Sequence, residues 1–179
     1  YAIVAQGFEA GGHRGAFDHA AAERQTIGLF ALVPRRADHI DVPIIAAGGI
    51  CDGVSMAAAF AMGAEGVQMG TRMLSCQESP VHDNWKQAVV AARETDTVFL
   101  NQQSRPALRA LRTARTAALE PLGKFNVMEN MAGIAQLYFG GDMEAAIPLS
   151  GEVCGRIDAV ISARQIIDET MAGFHDVIS

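Results

Sequence analysis

Residues 42–72 read Val-Pro-Ile-Ile-Ala-Ala-Gly-Gly-Ile-Cys-Asp-Gly-Val-Ser-Met-Ala-Ala-Ala-Phe-Ala-Met-Gly-Ala-Glu-Gly-Val-Gln-Met-Gly-Thr-Arg, and the fold follows from this stretch. Residues 42–47 are an unbroken apolar run, the pattern of a buried strand, with Pro43 near the start where a missing N–H is tolerated. Asp52 is placed to cap a helix over the alanine-rich residues 53–62, and Gly63 stops that helix. Residues 66–69 read as the next strand. Strand, helix, strand at this spacing is a βαβ unit, so its two strands lie parallel and adjacent, joined by a right-handed crossover. Both strands therefore run out at the same end into glycine-bearing loops, Gly48-Gly49 after the first and Gly70-Thr71 after the second. Glycines let a phosphate approach main-chain N–H groups, and Thr71 can add a hydroxyl. The competing reading of either pair is an ordinary tight turn.

Upstream, residues 1–6 read as another buried strand, followed by Gly7-Phe8-Glu9-Ala10-Gly11-Gly12-His13-Arg14-Gly15. Glycines at 7, 11, 12 and 15 imply backbone close to something bulky or at positive φ. An imidazole in such a loop is suited to proton transfer near neutral pH, so His13 is the candidate base. Glu9 can orient the loop by accepting backbone N–H groups. Arg14 reads as a solvated side chain, with attraction of an anionic substrate as the alternative. The chain thus repeats one device three times: strand, then glycine-bearing polar loop.

The 179 residues, half of them hydrophobic, with mean hydropathy +0.16, suffice for one sizeable core and argue against disorder. A net charge of −6 argues against a nucleic-acid binder. No apolar run approaches the 18 residues of a membrane span. Cys51, Cys76 and Cys154, odd in number and widely spaced, fit a reducing cytoplasm and form no metal motif, and no paired histidines or acidic cluster suggest one. Residues 26–40 read as a helix broken near Pro34, residues 80–93 as a helix burying Trp85 and Val89, and residues 94–104 as irregular or short extended chain. Arg105, Arg109, Arg112 and Arg115 form a stripe on an expected helix over 105–116, read as a solvated face or as an attractor of anions. Residues 127–138 are expected to be helical, and a last helix is expected over 154–172 with Ile157, Val160, Ile161, Ile167 and Met171 on its apolar side. The chain begins at Tyr1 and enters a strand at once, which suggests the later part of something longer.

Three segments together carry a family resemblance: residues 5–15 (Ala-Gln-Gly-Phe-Glu-Ala-Gly-Gly-His-Arg-Gly), 42–50 and 63–72. In order and spacing they resemble nitronate monooxygenases, formerly called 2-nitropropane dioxygenases, and are similar to the related flavin-dependent enoyl-acyl-carrier-protein reductases. The likeness is strong over residues 1–80 and weaker over 81–179. It implies an α/β fold, the C-terminal part of a TIM (β/α)8 barrel that binds FMN without a covalent link. Residues 1–80 would be strands six to eight of that barrel, and residues 81–179 a helical segment packed beside it. By the same likeness Gln6 and Gly11 lie by the isoalloxazine ring. Gly48, Gly49, Gly70 and Thr71 hold the phosphate with Gln68 nearby, and His13 is the catalytic histidine. The activity implied is oxidation of alkyl nitronates or nitroalkanes by O2 to a carbonyl compound and nitrite, which residues 28–34 favour. NAD(P)H-dependent enoyl-thioester reduction is the alternative, and an inactive packing module a third. Five barrel strands have no counterpart, so the expected partner is the missing N-terminal barrel portion, on the same or another chain.

Overall fold

A computed structural model of the chain describes residues 1–15 and 26–179. His19 and part of the loop expected over residues 7–25 lie outside the described residues. The first half runs β1 (Ile3–Gln6), β2 (Gly12–His13), α1 (Leu29–Ala37), β3 (Ile44–Ala47), α2 (Gly53–Ala61), β4 (Gly66–Gln68) and α3 (Thr71–Leu74). Strands β1, β3 and β4 form one parallel sheet in the order β1-β3-β4, with Val4 opposite Ile45 and Ala46 opposite Val67. The βαβ reading of residues 42–69 corresponds to β3, α2 and β4. Helices α1 and α2 cover one face, where Leu29 and Val33 meet Ala5, Ile44, Ala46 and Ala59. Small side chains at that contact let helix and sheet close tightly. Asp52 caps α2: its carboxylate accepts from Ser55 N at 2.8 Å while the Ser55 hydroxyl returns to the Asp52 N–H.

The second half runs α4 (Asp83–Ala91), β5 (Thr97–Leu100), β6 (Leu108–Leu111), α5 (Ala114–Leu119), α6 (Val127–Asn130), α7 (Ile134–Gly140) and α8 (Ala163–Ile178). The helical segment expected over residues 81–179 is corrected, because β5 and β6 pair antiparallel with each other and β2 joins β6. Trp85 and Val89 on α4 are fully buried, as read. The expected helix over residues 105–116 is corrected: residues 108–111 are strand, all four buried, and helix starts only at Ala114 behind a Thr113 cap. The four arginines therefore share no helical face. The last helix begins at Ala163, so Ile157 packs in the core from a preceding turn, while Ile167 and Met171 are exposed. Pro34 lies inside α1 without ending it, and residues 127–138 divide between α6 and α7.

Among the described residues no helix is long and apolar enough to cross a membrane. Among the same residues, no group of histidine, cysteine and acidic side chains could hold a metal ion.

Candidate functional site

The C-terminal ends of β1, β3 and β4 and the loops after them enclose a hollow of about 250 Å³. Gln6 at the end of β1 and Gly11 in the loop after it line the hollow, with Gly48 and Gly49 from the second loop, and Gln68 at the end of β4 followed by Gly70 and Thr71. The parallel register brings this about: Gln6 stands opposite Ala47, and Ala47 opposite Gln68, so the three strands end side by side. A fourth wall comes from far along the chain, with Leu149, Gly151 and Val153.

The backbone here is shaped for close approach. Gly48 has φ +115°, and a Cβ there would lie 2.9 Å from Ala10 N, so any side chain would push the first loop away. Gly11 packs edge-on against the 149–153 wall, where a Cβ would stand 2.5 Å from Gly151 N. Gly70 is the opposite case: a Cβ would meet nothing within 4 Å, because that position looks into open space. No carbonyl among the described residues takes the amide N–H of Gly49, Gly70 or Thr71. The buried Thr71 hydroxyl accepts from Gly151 N at 2.9 Å and still carries one proton to donate. Neutral donors around a hollow with room for an oxyanion fit the phosphate end of a nucleotide-like cofactor.

His13 is not in the lining, although its neighbour Gly12 is. It lies on β2, opposite Leu108, at the solvent-accessible margin. Partial burial lowers its pKa below 6.5, because desolvation disfavours the imidazolium. Gln6 holds the loop that carries it: Nε2 donates to His13 O at 2.9 Å and Oε1 accepts from Gly15 N at 3.0 Å. Glu9 orients the loop as read, its Oε1 accepting from Leu29 N at 3.0 Å at the start of α1. Arg14 is not solvated. It is 8 % exposed and donates to Gly7 O (2.7 Å) and Ala10 O (2.8 Å), so its charge is spent inside the loop instead of facing a substrate. Burial, reinforced by nearby Arg109, pushes its pKa down to about 10.

Arg109 is the residue the sequence hid. It is buried on β6, lies 4.3 Å over the Phe8 ring, and pairs with Glu152 at 2.9 Å. Gly151 and Glu152 gave no signal beyond one more glycine in irregular chain. Asp52, as read, is a cap, and it also pairs with Arg156.

Fold and site together define an α/β protein whose parallel strand ends build a hollow bordered by glycine-bearing loops. The profile of one family, described as nitronate monooxygenase, matches residues 1–173. The chain belongs to that family. A "Probable nitronate monooxygenase" of Staphylococcus saprophyticus is 49% identical over 100 residues, covering 55% of this chain and 28% of the relative. FabK of Thermotoga maritima superposes with TM-score 0.86 at 34% identity over 99% of this chain and 55% of its own. Nitroalkane oxidase of Streptomyces ansochromogenes superposes with TM-score 0.85 at 25% identity over 99% of this chain and 53% of its own. The chain thus spans about half the length of those solved structures and 28% of that curated relative.

Proposed function

We propose that the chain forms the cofactor-phosphate side of an FMN-dependent oxidoreductase that oxidises alkyl nitronates with O2 to a carbonyl compound and nitrite. The observation that carries this is the convergence of Gln6, Gly11, Gly48, Gly49, Gln68, Gly70 and Thr71 on one hollow. Gly48, Gly49, Gly70 and Thr71 would hold the FMN phosphate, the last three through main-chain N–H groups and Thr71 also through its hydroxyl, with Gln68 nearby. Gln6 and Gly11 would border the ring end, Gln6 mainly by fixing the backbone of His13 and Gly15. FMN, when bound, would supply the electron-accepting chemistry that no side chain here can provide. A ring nitrogen of His13 would take the α-proton of a neutral nitroalkane, a role its lowered pKa favours at neutral pH.

The three parallel strands would be strands six to eight of a TIM barrel. In support, Val4 on β1 is 49% exposed, whereas strands of a parallel sheet are normally covered on both faces. The partner would then be the N-terminal barrel portion. The three buried free cysteines accord with a reducing, cytoplasmic setting.

The likeness to FabK keeps one alternative: NAD(P)H-dependent reduction of an enoyl thioester on the same scaffold. The test is the visible absorption of the protein at full natural length, titrated without oxygen. A flavin spectrum bleached by a nitronate and not by NADPH supports the oxidation. Rapid bleaching by NADPH supports the reductase. A colourless protein that takes up no added FMN overturns both.

A further inference from the structure

Two segments that line the hollow, residues 9–12 and the 149–153 stretch, are distant in sequence, and one side chain ties together the chain around both. Arg109 is 4% exposed. Its Nε donates to Phe8 O at 3.0 Å, its Nη1 to Thr97 Oγ1 at 2.9 Å, and its Nη2 lies 2.9 Å from Glu152 Oε1. Glu152 in turn donates its own N–H to Glu9 O at 3.0 Å, and Gly151 donates to Thr71 Oγ1 at 2.9 Å. A hydroxyl has one proton and two lone pairs. With Gly151 occupying a lone pair, the Thr71 proton is turned away from that wall. Thr71 itself lines the hollow.

We propose that Arg109 is a positioning residue: with Glu152 it sets the place of Gly151, hence the direction of the Thr71 hydroxyl, and so gives the hollow its preference for a ligand with an anionic tail. This rests on the flavin reading above. The planar guanidinium matters as much as its charge, because Phe8, Thr97 and Glu152 are reached by three different nitrogens of one fork. A lysine could keep the ion pair and lose the other two bonds.

The test compares dissociation constants for FMN and for riboflavin, which has the same ring and no phosphate, by flavin fluorescence. The proteins are wild type, Arg109→Met, Arg109→Lys and Glu152→Gln at full natural length, with a thermal melt of each. Arg109→Met is expected to weaken FMN by about tenfold or more and riboflavin by less than about threefold, so that the preference between them shrinks. Arg109→Lys should recover part of it. Glu152→Gln keeps its main-chain N–H on Glu9 and should shift the ratio the same way by less. If Arg109→Met does not fold, Glu152→Gln decides. Equal weakening of both flavins, or an unchanged ratio in a folded variant, overturns the assignment, since a general loss of stability has no reason to spare riboflavin. Wild-type protein that binds neither flavin overturns the cofactor reading, and this inference with it. Wild-type protein that binds the two equally overturns this inference alone.

Discussion

His13 and Gly70 mark the two ends of the proposed chemistry. Burial keeps the His13 pKa below 6.5, so the imidazole is the neutral base at pH 7 and loses that role only as pH falls through the lowered value. With a neutral nitroalkane, kcat/KM should therefore show an acid limb centred below pH 6.5, whereas pre-formed nitronate should show none from this group. Replacing His13 with Ala should cost roughly 100- to 10,000-fold on the neutral substrate and far less on the nitronate, measured as initial rates on each. Equal losses would mean that His13 transfers no proton. At the other end, Gly70 has φ −91° and ψ −69°, ordinary for any residue, and open space where a Cβ would go. Gly70→Ala should fold and keep its flavin. Gly70→Asp should fold as well but set a carboxylate against the phosphate, and the purified protein should lose its visible absorbance. A Gly70→Asp protein that stays yellow would place the phosphate elsewhere.

The elements were unequally legible in the sequence, and burial explains why. Strand β3 and helix α2 stood out because an unbroken apolar run, a cap and a stopping glycine are all local signals. Strand β6 did not. Leu108, Arg109, Ala110 and Leu111 are buried on both faces, so no alternation marked a strand, and arginines spaced three or four apart imitated a helix. Strand β2 has two residues and exists only because β6 is there to pair with it. Helix α4 was readable from Trp85 and Val89, but its tie to the hollow was not. Trp85 lies edge-on to Tyr138, with centroids 5.1 Å apart, and its Nε1 donates to Ser150 Oγ at 3.2 Å, directly before Gly151. Trp85→Phe removes that donor and leaves a void, for an expected cost of about 1–3 kcal/mol. The melting temperature should fall by roughly 2–12 °C. An unchanged melting curve would show that α4 does not brace the fourth wall.

Across the whole molecule, the parts of the site that escaped the sequence are those set by distant partners. Seven lining positions were readable because each ends its own strand or lies in the loop that follows it. Gly151 was not, because its meaning lies in Gly11 and Thr71 on the far side of the hollow. The same holds for α8, whose packing depends on a glycine in another helix. Gly53 opens α2 four positions after Gly49, and a Cβ there would collide with the backbone of Gly173 and Phe174 and with Thr170 O. Phe174 also meets Phe60 on α2 with centroids 5.1 Å apart, so residues 170–174 of α8 touch α2 both at Gly53 and at Phe60. Gly53→Ala is a clean probe of this clasp. In isolation the change would favour the helix, by about 1 kcal/mol at an interior position. A net loss can therefore come only from forcing α8 away. We expect the loss to be about 1–3 kcal/mol, read as a melting temperature lower by roughly 2–12 °C. Gly53 and α8 take no part in lining the hollow, so FMN affinity of the folded variant should stay within about threefold of wild type. A melting temperature that rises instead would mean that the two helices are not packed backbone to backbone. A large loss of FMN affinity at an unchanged melting temperature would mean that α2 acts on the cofactor loop directly and not through its packing.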